Sequence, residues 1–406
     1  MRVQGSQPMM GGTKLQVPRA VWVLGLVSLF MDLSSEIIHA LLPLFMTATL
    51  GLSVAMVGMV DGIAEATASI TKVFSGRLSD LSGRRKPLML LGYGLGAASK
   101  PLFPLAAGVW PVLGARFADR IGKGLRGAPR DALVADVTPP QFRGRAFGLR
   151  QSLDTVGAFA GPLLAIGLML ALGNDMRLVF WIAVIPALIA VALVVFGVKE
   201  PANHAPAGRA SPAWRDVRLL GGPFWKVAAI GVLFSLGRIS EAFLILRAHS
   251  AGLPIALAPL VLVAMNLVYS LGAYPAGILS DSGTPRRLLG CGIVAVIAAD
   301  LVLAFATGLT GVFIGVGLWG VHMALTQGIL ARLVADTAPA DLRGSAFGVF
   351  SLLAGAALLI ASVLAGLLWD AWGSQVTFAA AAGFSALSGV LLIAFGGGRT
   401  RPARMS

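Results

Sequence analysis

Asp32, Glu36 and His39 stand in the stretch LFMDLSSEIIH, residues 29–39, inside a run that is otherwise apolar. At about 100° per residue the three share one helix face, and carboxylates beside an imidazole can take up and release protons. Asp61, Glu65 and Lys72, in VDGIAEATASITK, repeat the arrangement. The opposing charge is concentrated in ARFADRIGKGLRGAPRD, which carries Arg116, Asp119, Arg120, Lys123, Arg126, Arg130 and Asp131. Arg150 and Asp154 follow, then Arg238 and Glu241, and later Trp319, His322, Gln327 and Arg332. A guanidinium stripe of this kind can hold an anion bidentately. Ser-His-Asp and His-x-x-His constellations are absent from the sequence, so neither an enzyme nor a metal or cofactor site is expected. GYGLG at 92–96 and GKGLRG at 122–127 mimic phosphate loops, but no strand pattern precedes either and the Ser or Thr of a nucleotide loop is missing.

These charges must be positioned by apolar elements. The 406 residues are 57% hydrophobic and 12% charged, against roughly 25% charge in a soluble domain. Twelve apolar stretches are each long enough to cross a ~30 Å hydrocarbon core. They fall at about 19–48, 53–75, 86–107, 109–136, 145–172, 176–198, 224–247, 254–280, 286–307, 309–336, 345–371 and 374–396. The chain therefore reads as an all-α, multi-pass membrane protein with the lipid bilayer as its solvent. A charge at the bilayer centre costs between ~2.5 and ~17 kcal/mol, so the ionisable stripes must face water or one another.

The net charge of +14 is a matter of topology. Alternate connections and both tails hold twenty basic residues, among them Arg77, Arg84, Arg85, Lys86, Arg286 and Arg287; the opposite connections hold only Arg177 and Arg247. This asymmetry places both termini in the cytoplasm and argues against nucleic acid as a partner. Cys291 is the only cysteine, which excludes an internal disulfide.

The chain also repeats itself. ADVTPPQFRGRAFG at 135–148 matches ADTAPADLRGSAFG at 335–348, and GRLSD at 76–80 matches GILSD at 277–281. Ser35-Glu36 pairs likewise with Ser240-Glu241. A period of six spans, an even number, gives two halves of equal orientation. The expected organisation is a cytoplasmic tail at 1–18, a six-helix bundle at 19–198, and a polar linker at 199–223. A second six-helix bundle at 224–396 and a tail at 397–406 follow.

Gly76-Arg-Leu-Ser-Asp80-Leu-Ser-Gly83-Arg84-Arg85 resembles the loop signature of the major facilitator superfamily, with Leu81 where a basic residue is usual and Asp281 in a degenerate second copy. Gly157-Ala-Phe-Ala-Gly161-Pro162 resembles the fifth-helix motif of that superfamily's proton-coupled drug and small-molecule antiporters. Arg116 matches a fourth-helix arginine motif, although Arg120 replaces its later glycine. The resemblance implies two bundles rocking about a central cavity lined by the first, fourth, seventh and tenth spans. The cytoplasmic loop is then either a conformational gate or a stability device, and Pro162 should kink its helix.

At 1.5 Å per residue, Asp32 and Glu36 lie ~20 and ~26 Å from the cytoplasmic end of their span, and Arg116, Arg120 and Lys123 ~10, ~17 and ~21 Å from the outer end of theirs. Acids and cations thus share depth. Asp32, Glu36, Asp61, Glu65 and Glu241 are the expected proton-coupling candidates, with Asp32 or Glu36 pairing with Arg120 or Lys123. His39, Arg116, Asp119, Arg120, Lys123, Arg150, Asp154, Arg238, Trp319, His322 and Gln327 are expected around the substrate. A static ion lattice is the plainer alternative. The leading expectation is a monomeric cell-membrane transporter exporting a small organic compound against protons. Uptake or exchange of a charged solute, and a non-transporting sensor or scaffold, are the alternatives.

Overall fold

A computed structural model describes residues 18–82, 84–139, 142–199, 219–281, 285–339 and 342–396. Thirteen helices follow one another: α1 (Arg19–Leu44), α2 (Val54–Ser82), α3 (Lys86–Ser99), α4 (Leu102–Leu105), α5 (Val109–Asp136), α6 (Arg143–Ala171), α7 (Met176–Ala192), α8 (Gly222–Gly237), α9 (Glu241–Ser250), α10 (Leu260–Asp281), α11 (Pro285–Phe305), α12 (Leu309–Thr337) and α13 (Arg343–Gly396). Among the described residues, nine helical stretches are long and apolar enough to span a membrane. The count becomes twelve for three reasons: α13 holds two spans joined at Gly373, α3 is short and is extended by α4, and α5 is too charged to pass an apolarity test.

The departures from the expected spans have local causes. Pro101 separates α3 from α4 because it has no N–H to continue the helical hydrogen-bond ladder. Gly373, at φ +82°, takes a left-handed turn that a side chain would resist. The eighth span starts later than expected, at Leu260, because Pro254 and Pro259 leave only a short 3₁₀ turn, Ile255–Leu257, before it. The seventh span is broken. α8 stops at Gly237, Arg238 leaves helical geometry at ψ 85°, and Ser240 caps α9 by accepting from the Ala242 N–H at 3.2 Å.

Packing follows the repeat. α1 packs on α6 and α7, α2 and α3 on α5, and α11 on α12, while α13 covers α8 and α11. Gly157 and Gly161 let α6 lie against the α1 backbone: a Cβ on Gly157 would stand 2.5 Å from the Leu29 carbonyl oxygen, and one on Gly161 2.6 Å from Glu36 Cβ. α6 runs helically through Pro162, so here the glycine motif makes a close helix contact. Gly92 and Gly122, from the stretches 92–96 and 122–127, do likewise, a Cβ on Gly122 meeting the Gly92 carbonyl between α3 and α5.

The halves meet chiefly along α2 and α13. Gly58 rests on the Ser362 carbonyl, and Gly366 lies against Ala55. At the bundle end away from residues 18 and 396, the Asp370 carboxylate accepts from the Val54 and Ala55 N–H groups at 3.0 and 2.8 Å. A single apolar core that includes Leu41, Phe45 and Met46 from one half and Phe243, Leu244 and Ile245 from the other seals that end.

Candidate functional site

Below this seal lies a cavity of about 260 Å³ between the halves. α1 contributes Glu36 and His39, α2 contributes Asp61 and Glu65, and α5 contributes Arg120 and Lys123. The broken seventh span contributes Arg238, Ser240 and Glu241, and α12 contributes Trp319. Nine residues expected around the site thus line one cavity. Ser240 and Asn266 also line it and were not anticipated. A legible signal existed for Ser240, since a serine followed by a glutamate after Gly237 is a helix-start pattern.

Most of the first half's charges are paired. Arg116 meets Asp61 at 3.3 Å, Arg120 meets Glu65 at 3.3 Å, and His39 Nδ1 meets Glu36 at 3.4 Å. Asp61 also accepts from Ser240 Oγ at 2.7 Å, which ties the halves together at the cavity wall. Behind the wall, Lys100 donates to Asp119 at 2.8 Å and to Ser35 at 2.9 Å, both charges being almost fully buried. Arg116 and Asp119 therefore serve helix contacts behind the lining. Tyr93 presents its ring to the Arg126 guanidinium at 5.1 Å.

Asp32 does not pair as expected. Its carboxyl stands beside that of Asp154, with Lys123 and Arg126 as the nearby cations. Two neighbouring carboxyls repel when both are ionised and can be joined by one shared proton. Asp154 is further held by Arg130 at 3.5 Å and Arg150 at 3.6 Å, and Arg130 and Arg150 also reach Asp131 at 3.1 and 3.9 Å. Asp154 lines a second cavity of about 150 Å³ between α6 and α10, which shares Ala158 and Asn266 with the first. The carboxyl pair thus sits beside the central cavity, through α6.

The second half is sparser. Lys100 and Asp119 have Asp300 and Trp319 as counterparts 200 residues on. There the indole N–H donates to Asp300 at 3.3 Å, and the other carboxylate oxygen has no partner. His322 donates from Nδ1 to the Trp319 carbonyl at 2.6 Å, with the indole edge-on at 4.6 Å, so His322 sits behind Trp319 and outside the cavity lining. The side chains of Gln327, Gly76, Asp80 and Asp281, and the whole of Gly83, lie outside the described residues, as does most of the 199–223 linker. Of the expected gate loop, Arg85 donates to Ser79 at 2.6 Å and reaches Asp136 at 3.4 Å, while Arg84 is exposed.

Comparison with known proteins places this geometry in context. The family model described as Major Facilitator Superfamily matches residues 24–247 and again 242–405. An uncharacterised MFS-type transporter of Methanocaldococcus jannaschii is 28% identical over 388 residues, covering 93% of this chain and 95% of that protein. The multidrug resistance protein MdtH of Cronobacter sakazakii is 31% identical over 143 residues, 35% of each chain. Among solved structures, a mutant form of the nucleoside transporter NupG superposes with a TM-score of 0.79 at 13% identity, over 92% of this chain and 99% of that one.

Proposed function

Because the chain belongs to the major facilitator superfamily, we propose that it is a proton-coupled secondary transporter that exports a small organic compound by alternating access. The carrying observation is the cavity itself: acids and bases from both halves converge on a space closed by apolar packing on one face. Such a site binds a solute between two bodies that can rock about it. Export is favoured by the likeness of about a third of the chain to a multidrug resistance protein.

On this reading the bundles are residues 19–198 and 224–396, working as a monomer in the cell membrane. The basic asymmetry puts both ends and the 199–223 linker in the cytoplasm. The sealed face is then external. Asp32 and Asp154 are the proton site: a shared proton keeps the carboxyls together, and its loss sets two adjacent negative charges against each other beside Lys123. That difference favours one bundle arrangement over another, which is what coupling requires. A second reading, uptake or exchange of an anion, is supported by Lys123 and Arg238 at the cavity wall.

Flux in proteoliposomes under an imposed pH gradient tests the proposal. Solute movement that follows the gradient and disappears with a protonophore supports it. Gradient-independent exchange of anions would favour the second reading, and absence of flux for every solute would make the chain a sensor or scaffold.

A further inference from the structure

The cavity's charges do not cancel among themselves. Glu65 is held by Arg120, Asp61 by Arg116 and Ser240, and Glu36 by His39. Three lining groups remain. Lys123, Arg238 and Glu241 form no hydrogen bond or ion pair with any described residue. Glu241 lies within coulombic reach of His39 and Arg238 as well as of Glu36 and Glu65, so it stands, without a direct partner, where carboxylates from α1, α2 and α9 meet the cavity's cations.

The break in the seventh span maintains this imbalance. In a continuous helix, Arg238 and Glu241 would be neighbours three residues apart and would neutralise one another. Instead the backbone from Arg238 to Ser240 is extended, with ψ 85° at Arg238 and 145° at Ser240, so both charges line the cavity within coulombic reach of one another but without an ion-pair contact. An anionic solute would leave Glu241 unmatched beside two other carboxylates. A cationic one would leave Arg238 and Lys123 without a direct partner, Lys123 being met only at longer range by carboxylates such as Glu36 and Glu65. Charged groups closed away from water without partners are costly, so a solute carrying one charge of each sign fits best.

Building on the transporter reading, we propose that the central cavity selects a small zwitterion of amino-acid size, its acid group on Arg238 and Lys123 and its ammonium on Glu241. The volume of about 260 Å³ excludes bulky drugs in this closed arrangement.

Binding to the purified full-length protein in detergent tests this without requiring transport. The probes are the twenty common amino acids and the straight-chain ω-amino acids, read by thermal shift and tryptophan fluorescence. Each hit is compared with its N-acetyl derivative, which lacks the ammonium, and its methyl ester, which lacks the carboxylate. At least one zwitterion should bind ~10-fold or more tighter than both derivatives. Glu241→Gln should abolish the preference over the N-acetyl form and keep that over the ester. The Lys123→Gln/Arg238→Gln double variant should do the reverse, with circular dichroism confirming the fold of each. The inference is overturned if no zwitterion binds, if single-charge derivatives bind equally well, or if both variants change both preferences alike. A pH-driven flux of some other solute alongside absent zwitterion binding would sink this inference and leave the transporter reading standing.

Discussion

Asp370→Ala should open the sealed face. The Asp370 carboxylate, at the sealed end of the first span of α13, accepts from two N–H groups in the first turn of α2, at 3.0 and 2.8 Å. It is thus a helix cap supplied by the opposite half, and it can act only while the halves are together at that end. Loss of a capping side chain costs ~0.5–2 kcal/mol, and a carboxylate at a helix N-terminus contributes ~0.3–1 kcal/mol through the macrodipole. Asp370 is solvent-exposed, so about 1–2 kcal/mol is a fair value for the contact. That corresponds to a ~5- to 30-fold shift from closed toward open. Ser362 is a suitable reporter: it is 1% exposed, its backbone carbonyl faces Gly58, and its hydroxyl has no partner to lose on replacement by a thiol. In a Cys291→Ser, Ser362→Cys background, an impermeant maleimide applied from the sealed side should react ~5- to 30-fold faster when Asp370 is alanine. An unchanged or slower rate in a folded protein would refute the reasoning, because the cap would then not be holding the halves closed.

Other expectations follow from the same geometry. Asp32→Asn should abolish pH-driven flux while leaving exchange of substrate without a gradient; normal pH-driven flux would move coupling elsewhere, with Glu36→Gln the next variant to measure. Lys100→Met should destabilise the protein by ~3–5 kcal/mol by leaving Asp119 buried and unpaired, whereas Lys100→Met with Asp119→Leu should recover much of it in a denaturation series. Gly157→Leu should lower the melting temperature sharply, since even a Cβ there would stand 2.5 Å from the Leu29 carbonyl oxygen; a melting temperature within error of wild type would show that α1 and α6 can separate at no cost. A cysteine placed at Ala210 should resist labelling from outside intact cells, and efficient labelling would invert the topology.

The span pattern, the duplication and the superfamily were legible because each rests on a property carried by single residues: apolarity over a fixed length, or glycine, aspartate and arginine at fixed spacing. The convergence of Glu36, His39, Asp61, Glu65, Arg120 and Lys123 was legible too, since a helix face and a rise of 1.5 Å per residue give direction and depth. Pairing was harder. Asp32 meets Asp154 instead of Arg120 because helix rotation and the close α1–α6 approach at Gly157 and Gly161 decide which side chains touch, and sequence spacing alone does not fix either. The break at Arg238 leaves the hydropathy of the span almost unchanged, and only the Gly237 and Ser240-Glu241 stop-and-start pattern marks it. The role of Asp370 carries no local signal, since its partners are backbone groups 316 and 315 residues away.

The charge carried by α5 bears on how the protein enters a membrane at all. Arg116, Asp119, Arg120, Lys123 and Arg126 fall within its middle, and at ~2.5–3.5 kcal/mol per charge on an insertion scale the group opposes partitioning by about 12–18 kcal/mol. No leucine content in that helix offsets such a sum. Asp61 and Glu65 of α2, and Lys100 before α5, pair with Arg116, Arg120 and Asp119 once they are alongside and remove part of that cost. During synthesis, then, α5 cannot be released into lipid as a solitary span. A first half whose ion pairs Arg116–Asp61, Arg120–Glu65 and Lys100–Asp119 are already formed meets lipid at a lower cost than α5 alone.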